Sequence, residues 1–341
     1  MADDDAQQPP AFAKSGAAGE WIACRCADVQ AVLADDRFEV PEADAAGRVG
    51  TISWLRAWVS RFANGPEHRR RRAGAVAELR PLEPDQLRRA ARWRTDAAIT
   101  ATAKPGERLD VMALLARRVP MTVMAECLGI ACAEGAAEAV IAIAAGYFPG
   151  SDPRVQQLAD AATARLVDML GPAEMDVTVA RIALMVQGCD ATAGLIGLAL
   201  EFLQGSREAS ADWPTHQVLD EVLRHNPVVR ASRRIARAPV SVNGSALVGA
   251  GDTVVCNVEA ANRDLAASGQ SDSPDLSGHV MPSLTFGYGI RPCPGAPQAL
   301  ALATGVVDAV REACSLLSSQ RVEYEPSPAL RIPRMLEVVL R

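Results

Sequence analysis

The sequence predicts a mainly α-helical protein with small β-sheets. Ala and Leu are abundant and recur at helical spacing over long stretches, which is the periodicity of helices packed on a core. Only 3 Tyr and 6 Phe occur in 341 residues, so the chain is poor in the aromatic residues that favour strands. Gly-Asn and Asp-Gly turn signals are scarce, which argues against a protein built from hairpins. No repeat and no break in composition divides the chain, so residues 20–341 are expected to form one large domain. Residues 1–19, MADDDAQQPPAFAKSGAAG, read as a disordered tail with neither the basic nor the apolar region of a secretory signal.

Charge and cysteine usage narrow the function classes. A net charge of −6 argues against a general nucleic-acid binder. The 8 cysteines are scattered, without a CxxC pair or a metal-ligand spacing. Free thiols in a reducing, cytoplasmic setting are the expectation.

In chain order, residues 21–40 read as a short strand and then a helix with Val29, Val32 and Leu33 on one face. Residues 41–65 are mixed, with Trp54 and Trp58 at helical spacing as a core-packing pair. GPEHRRRRAGAVAEL, 65–79, contains a basic run at 68–72 that reads on its own as a solvated helix face. Residues 81–130 hold two amphipathic helical patterns, the second broken or kinked at Pro120. Two more helices follow in 131–172, parted by the loop YFPGSDP.

The stretch 182–203 is apolar on nearly every face, as a buried helix is. It is long enough to cross a membrane, but Gln187, Asp190 and Thr192 lie in its middle and no basic flank follows, so a core helix is expected and no membrane span. A buried Asp190 needs a partner or a task. VLDEVLRHNPVVRASRRIA then sets Glu221 and Arg224 on one helical face. GDTVVCNVEAANRD predicts a strand and a helical turn, and ALRIPRMLEVVL a C-terminal hairpin.

The chemistry concentrates in residues 284–296, LTFGYGIRPCPGA. Gly287 and Gly289 permit the positive φ of a tight loop and leave room for a flat ligand against the backbone. Arg291 places a cation beside it. An apolar helical run starts at Gly295, so Cys293 sits at a helix N-terminus, where free amides and the helix dipole favour a thiolate, a ready iron ligand. Pro292 and Pro294 lack N–H groups and stiffen the approach.

At these residues the chain resembles the cytochrome P450 family. Phe286, Gly287, Gly289, Arg291, Cys293 and Gly295 fill every defined place of that family's haem-binding loop. The resemblance implies haem b as cofactor and Cys293 as its axial thiolate, which pushes electron density onto the iron and favours O–O cleavage. It implies the P450 fold, shortened at the N-terminus and in the lid-helix region. Further motifs come in order. His68 and Arg72 match a His and Arg that hold the haem propionates, and Arg234 stands in the place of a propionate-binding arginine, with Arg233 as the close alternative. Arg69, Arg70 and Arg71 remain surface candidates, some for a patch recognised by an acidic electron-transfer protein. Glu221 and Arg224 match a structural Glu-x-x-Arg pair, and AANRD is a further hallmark.

GCDAT, in the buried helix, matches the pattern that delivers protons to dioxygen. Asp190 takes the acid's place and Thr192 the second of two alcohols, whereas the first alcohol is replaced by Ala191. No arginine lies between Arg263 and Arg291, and Ser283 stands where a His often precedes the haem loop. By this resemblance the protein is expected to be a monooxygenase that oxidises a small organic substrate, of secondary metabolism, with electrons from a ferredoxin and its reductase. The alternatives are peroxide-driven or redox-neutral haem chemistry, motivated by Ala191, and a non-catalytic helper protein, which has no need of an iron ligand.

Overall fold

A computed structural model describes residues 12–14, 19–43, 47–205, 212–244, 246–267, 283–317, 321–327 and 329–341. Helices dominate and the sheets are small, as the composition predicts. The chain divides into two compact units, Met1–Pro41 with Leu223–Cys293 and Ser327–Leu330, and Glu42–Val222 with Pro294–Pro326 and Arg331–Arg341. Each unit is assembled from separated segments, which is why no single change of composition marks a boundary.

The first unit is organised on a five-stranded sheet in the order β1-β2-β8-β5-β3. Its strands are β1 (Ala13–Lys14), β2 (Trp21–Ala23), β3 (Phe38–Glu39), β5 (Ala231–Ala236) and β8 (Thr253–Asn257). β2 runs parallel to β8, with Ile22 opposite Val255, and β5 runs antiparallel to β8, with Arg234 opposite Val254. Helices α1 (Cys26–Ala34) and α10 (Val258–Ala267) pack here, and Val29, Val32, Leu33, Phe38, Val254 and Leu284 share one apolar core. Val240–Val242 (β6) and Ala246–Val248 (β7) form a hairpin. Asn243 and Gly244 of its turn have φ of 47° and 70°, an Asn-Gly signal that the scarcity of such dipeptides elsewhere hid.

Within the stretch expected to be a tail, Phe12–Lys14 is ordered, while residues 1–11 and 15–18 lie outside the described residues. Phe12 stacks on Trp21 at 5.3 Å between ring centroids, and Lys14 reaches Asp252 at 3.4 Å. Burial of an aromatic ring offsets the entropy of ordering these residues.

The second unit is helical. Its elements are α2 (Ile52–Trp58), α3 (Gly65–Leu79), α4 (Pro84–Thr102), α5 (Arg118–Cys127), α6 (Ala133–Gly146), α7 (Pro153–Leu170), α8 (Met175–Gly205), α9 (Thr215–His225, continuing into the first unit) and α11 (Ala296–Ala313). Strands β4 (Arg108–Asp110), β9 (Cys314–Leu316) and β10 (Glu337–Leu340) make a small sheet in the order β4-β10-β9. The C-terminal segment thus pairs with distant strands, and Pro333, within the stretch 329–340 expected to form a hairpin, instead bridges Tyr324, which precedes that stretch.

Pro120 does not break a helix. It lies in the first turn of α5, where its missing N–H costs nothing, and the irregularity falls before it, in a π-turn at Met112–Ala116. Helices α4 and α11 meet backbone to backbone at Gly305, where an added Cβ would lie 2.3 Å from the Arg88 carbonyl oxygen. α8 is long and apolar enough to cross a membrane, but 72% of its most apolar window is buried inside the fold, as in a core helix.

Candidate active site

In the first unit the cysteine loop is held by backbone bonds and by one buried side chain. The Gly287 N–H donates to the Leu284 carbonyl at 2.8 Å, and the Cys293 N–H donates to the Phe286 carbonyl at 2.6 Å. Gly287 and Gly289 have φ of 78° and 65°, as the sequence requires of a tight loop. A Cβ on Gly289 would stand 2.6 Å from the Ala34 Cα, so the loop lies directly on the end of α1. The Cys293 side chain is exposed, three residues before α11 begins.

Asn262, the Asn of AANRD, is 1% exposed and anchors the start of this loop. Its carboxamide oxygen accepts from the Leu284 N–H at 2.9 Å, and its NH2 donates to the Leu223 carbonyl at 3.0 Å and to Ser283 Oγ and Thr285 Oγ1 at 3.2 Å. Both hydroxyls also donate to the Leu223 carbonyl, at 3.0 and 2.7 Å. Asp264 of the same motif accepts from the Cys26 N–H at the start of α1 at 2.8 Å. Ser283 is therefore an anchor of the loop. The sequence marked it only as a departure.

In the second unit α8 is closed on most of its surface and open along one strip. Leu184, Gln187, Gly188 and Ala191 are exposed or partly exposed, at the i, i+3, i+4, i+7 spacing of one helix face. A Cβ on Gly188 would meet nothing within 4 Å, whereas one on Gly197, farther along, would strike Met112 Sδ at 2.8 Å. The strip is where a ligand can lie against the helix backbone. Thr192 is 2% exposed and belongs to the packed side, so it is Ala191 that borders the open strip.

Asp190 has its partner in Arg117. The guanidinium Nε donates to Asp190 Oδ1 at 2.8 Å, and Nη2 donates to both carboxylate oxygens of Glu325 at 2.8 Å. Arg117 leaves the π-turn at the entrance of α5, a device whose one extra residue rotates the side chains of the next helical turns. Burial works against the Arg117 charge, but the two carboxylates outweigh it and hold the group firmly protonated. Burial, reinforced by the Asp190 charge, pushes the neighbouring Cys189 thiol well above its ordinary range, so this cysteine is a neutral core residue.

Around Gln187 the helix meets an aromatic group. Gln187 Nε2 donates to Tyr147 Oη at 3.0 Å, and the Tyr147 ring lies 5.6 Å from Phe62 and 5.8 Å from Phe148. Burial pushes the Tyr147 phenol up to about 12. Arg56, from α2, donates to the carbonyls of Gly146, Tyr147 and Phe148 at 2.5, 2.8 and 3.0 Å and so fixes the chain after α6.

The basic residues sort by burial. On α3, His68 is 5% exposed and Arg72 partly exposed, while Arg70 and Arg71 are bound by Glu67 at 2.7 and 2.5 Å. Those hydrogen bonds bring the Glu67 carboxyl down to about 2. Arg69 is exposed. On β5, alternation puts Arg233 outside, paired with Glu20 at 3.4 Å, and Arg234 inside at 7% exposed. The Arg234 guanidinium donates to Ser232 Oγ at 2.7 Å and to the Arg233 carbonyl at 2.8 Å. Arg291 is partly exposed beside the cysteine loop, and Glu221 and Arg224 are both buried on α9.

Comparison with known proteins places this fold. The chain is 26% identical over 317 residues to mycinamicin IV hydroxylase/epoxidase of Micromonospora griseorubida, covering 82% of this chain and 78% of that one. It is 29% identical over 316 residues to nocardicin C N-oxygenase of Nocardia uniformis subsp. tsuyamanensis, covering 81% and 77%. Among solved structures it superposes on CalO2 with a TM-score of 0.81 at 22% identity, covering 97% of this chain and 92% of that one. A structure of HmtT, involved in himastatin biosynthesis, gives a TM-score of 0.77 at 21% identity, covering 98% and 95%. No family model matches the chain.

The chain has the bacterial-type cytochrome P450 fold and matches several P450 monooxygenases in sequence. It is a P450-type oxidoreductase whose cofactor is haem b, and it acts on small organic substrates. The residues present fit that group. Cys293 is exposed at the end of its loop, where a metal carried inside a prosthetic group would find the single protein ligand it needs. Gly287 and Gly289 keep side chains off the loop, and the buried Arg234 guanidinium and His68 imidazole are groups of the kind that donate to carboxylates. Sequence reasoning missed Arg117, Glu325 and the Asn262 anchor, because their partners lie far away along the chain and no local pattern connects them.

Proposed function

We propose that this P450 is a monooxygenase in which Cys293 is the haem's axial thiolate ligand, with electrons supplied by a ferredoxin and its reductase in the cytosol. The observation that carries the reading is the exposed Cys293 thiol at the end of a loop fixed by the Phe286 carbonyl, just before the N-terminus of α11. When bound, haem supplies dioxygen activation, which a thiolate ligand favours.

The protein's own residues then have separate tasks. Gly287, Gly289, Phe286 and Gly295 form the bed on which the flat group lies, and the amides at the start of α11 temper the sulfur's charge. By the family pattern His68, Arg72, Arg234 and Arg291 hold the propionates through charge-assisted bonds. Asp190, positioned by Arg117 Nε, relays protons from solvent toward the reacting oxygen atoms by taking one up and passing it on. Ala191 offers no hydroxyl to pass them on, so Thr192, an ordered water or a polar group of the substrate completes the route. Gln187 and Ala191 border the space beside α8 that admits substrate.

Turnover with a surrogate ferredoxin and reductase tests the reading. Substrate-dependent NADPH consumption with incorporation of one oxygen atom supports it. Turnover with peroxide alone, and none with the electron-transfer chain, overturns the ferredoxin assignment.

A further inference from the structure

Three features of the second unit are linked through Tyr147 to Gln187 on the open strip of α8, and together they select a class of substrate. The first is a cation. Arg61 is exposed, and among the described residues it forms no ion pair. Its neighbours are otherwise committed, Arg56 to three carbonyls and Arg71 to Glu67 and the Ala57 carbonyl. The second is its seat. The Arg61 guanidinium lies 5.9 Å from the Phe62 ring centroid and 5.2 Å from that of Phe148, contacts that steady a charge without neutralising it. The third is direction. Both rings pack on Tyr147, whose hydroxyl accepts from Gln187 on the open strip, and the Arg61 charge acts on that same phenol. Phe148 is 40% exposed, so an apolar surface adjoins the cation.

On the reading that the open strip of α8 admits substrate, we propose that Arg61 is the substrate's counter-ion and that this site takes an organic anion, a carboxylate on an aromatic or aliphatic body. The carboxylate pairs with the guanidinium, and the body packs on Phe148 and Phe62 and runs toward Gly188 and Ala191. Arg56 keeps the aromatic segment in place before substrate arrives, which lowers the ordering cost of binding.

The test uses the holoprotein and a matched pair of probes, 6-phenylhexanoate and 6-phenylhexanamide, with dissociation constants from calorimetry. The acid is expected to bind about five- to tenfold more tightly than the amide at low salt, with the preference shrinking as ionic strength rises. Arg61→Gln should abolish the preference and leave the amide's affinity unchanged, Arg61→Lys should retain part of it, and Phe148→Ala should weaken both probes. Equal affinities in the unaltered protein, a preference that survives Arg61→Gln, or no binding of either probe overturns the proposal. The reduced, carbon monoxide-bound spectrum is recorded on the same samples. Loss of the thiolate signature with the acid preference intact refutes the haem-ligand reading and leaves this one standing.

Discussion

Arg117 Nε lies 2.8 Å from Asp190 Oδ1, and the same guanidinium grips Glu325 with its Nη2. One arginine therefore fixes the only acid in the middle of the central helix α8 to the chain near the C-terminus. Arg117→Ala should destabilise the fold by about 1–3 kcal/mol, less than for a fully buried pair because the side chains keep 18%, 24% and 32% exposure. Urea denaturation measures it. An unchanged midpoint would show that solvent already screens the triad.

Asp190→Asn keeps the shape and removes a group that can take up and release a proton. It should lower kcat by at least about tenfold while changing KM little, the pattern of an interaction needed mainly for chemistry. Glu325→Gln should have a smaller effect, since Arg117 still holds Asp190. Equal loss in both variants would mean that the triad acts through folding alone.

Ala191 borders the open strip of α8, and a methyl group there neither donates nor accepts a hydrogen bond. Ala191→Thr should raise the fraction of NADPH electrons reaching product instead of peroxide, for a substrate without a hydroxyl of its own. No change in that fraction, with Asp190→Asn fully active, would favour the peroxide-driven reading.

Asn262 satisfies the Leu284 N–H and the Leu223 carbonyl while 1% exposed. Asn262→Ala leaves the Leu284 N–H buried without its acceptor, at a cost of about 1–3 kcal/mol, while the Leu223 carbonyl keeps the Ser283 and Thr285 hydroxyls. The loop it anchors carries Cys293, so haem retention during gel filtration should fall as well. Gly289→Ala forces a side chain into a left-handed conformation against the Ala34 Cα, which costs about 1–3 kcal/mol in strain alone, and it should produce the same loss.

The fold class and the order of motifs were legible because they are local. Periodicity marked α8, the glycines marked the loop, and alternation in β5 separates Arg233 from Arg234 once the strand is known. The hidden part was long-range. Arg117 stands beside Arg118 in the sequence with nothing to rank one above the other, and only the π-turn ahead of α5 decides which meets Asp190. Phe12 was hidden in a polar, Pro-containing stretch, since its value depends on Trp21 lying underneath. Thr192 shows the converse. Its type matched a catalytic place, yet burial decides that Ala191 borders the open strip.

The central claim is that Cys293 binds the haem iron as a thiolate, and the spectrum of the reduced, carbon monoxide-bound protein tests it most directly. The unaltered protein should show the strongly red-shifted Soret band of thiolate ligation. Cys293→Ser should lose that band, and Cys132→Ser, which removes the other exposed cysteine, should keep it. A red-shifted band that persists in Cys293→Ser, or its absence from the unaltered protein loaded with haem, would contradict the account.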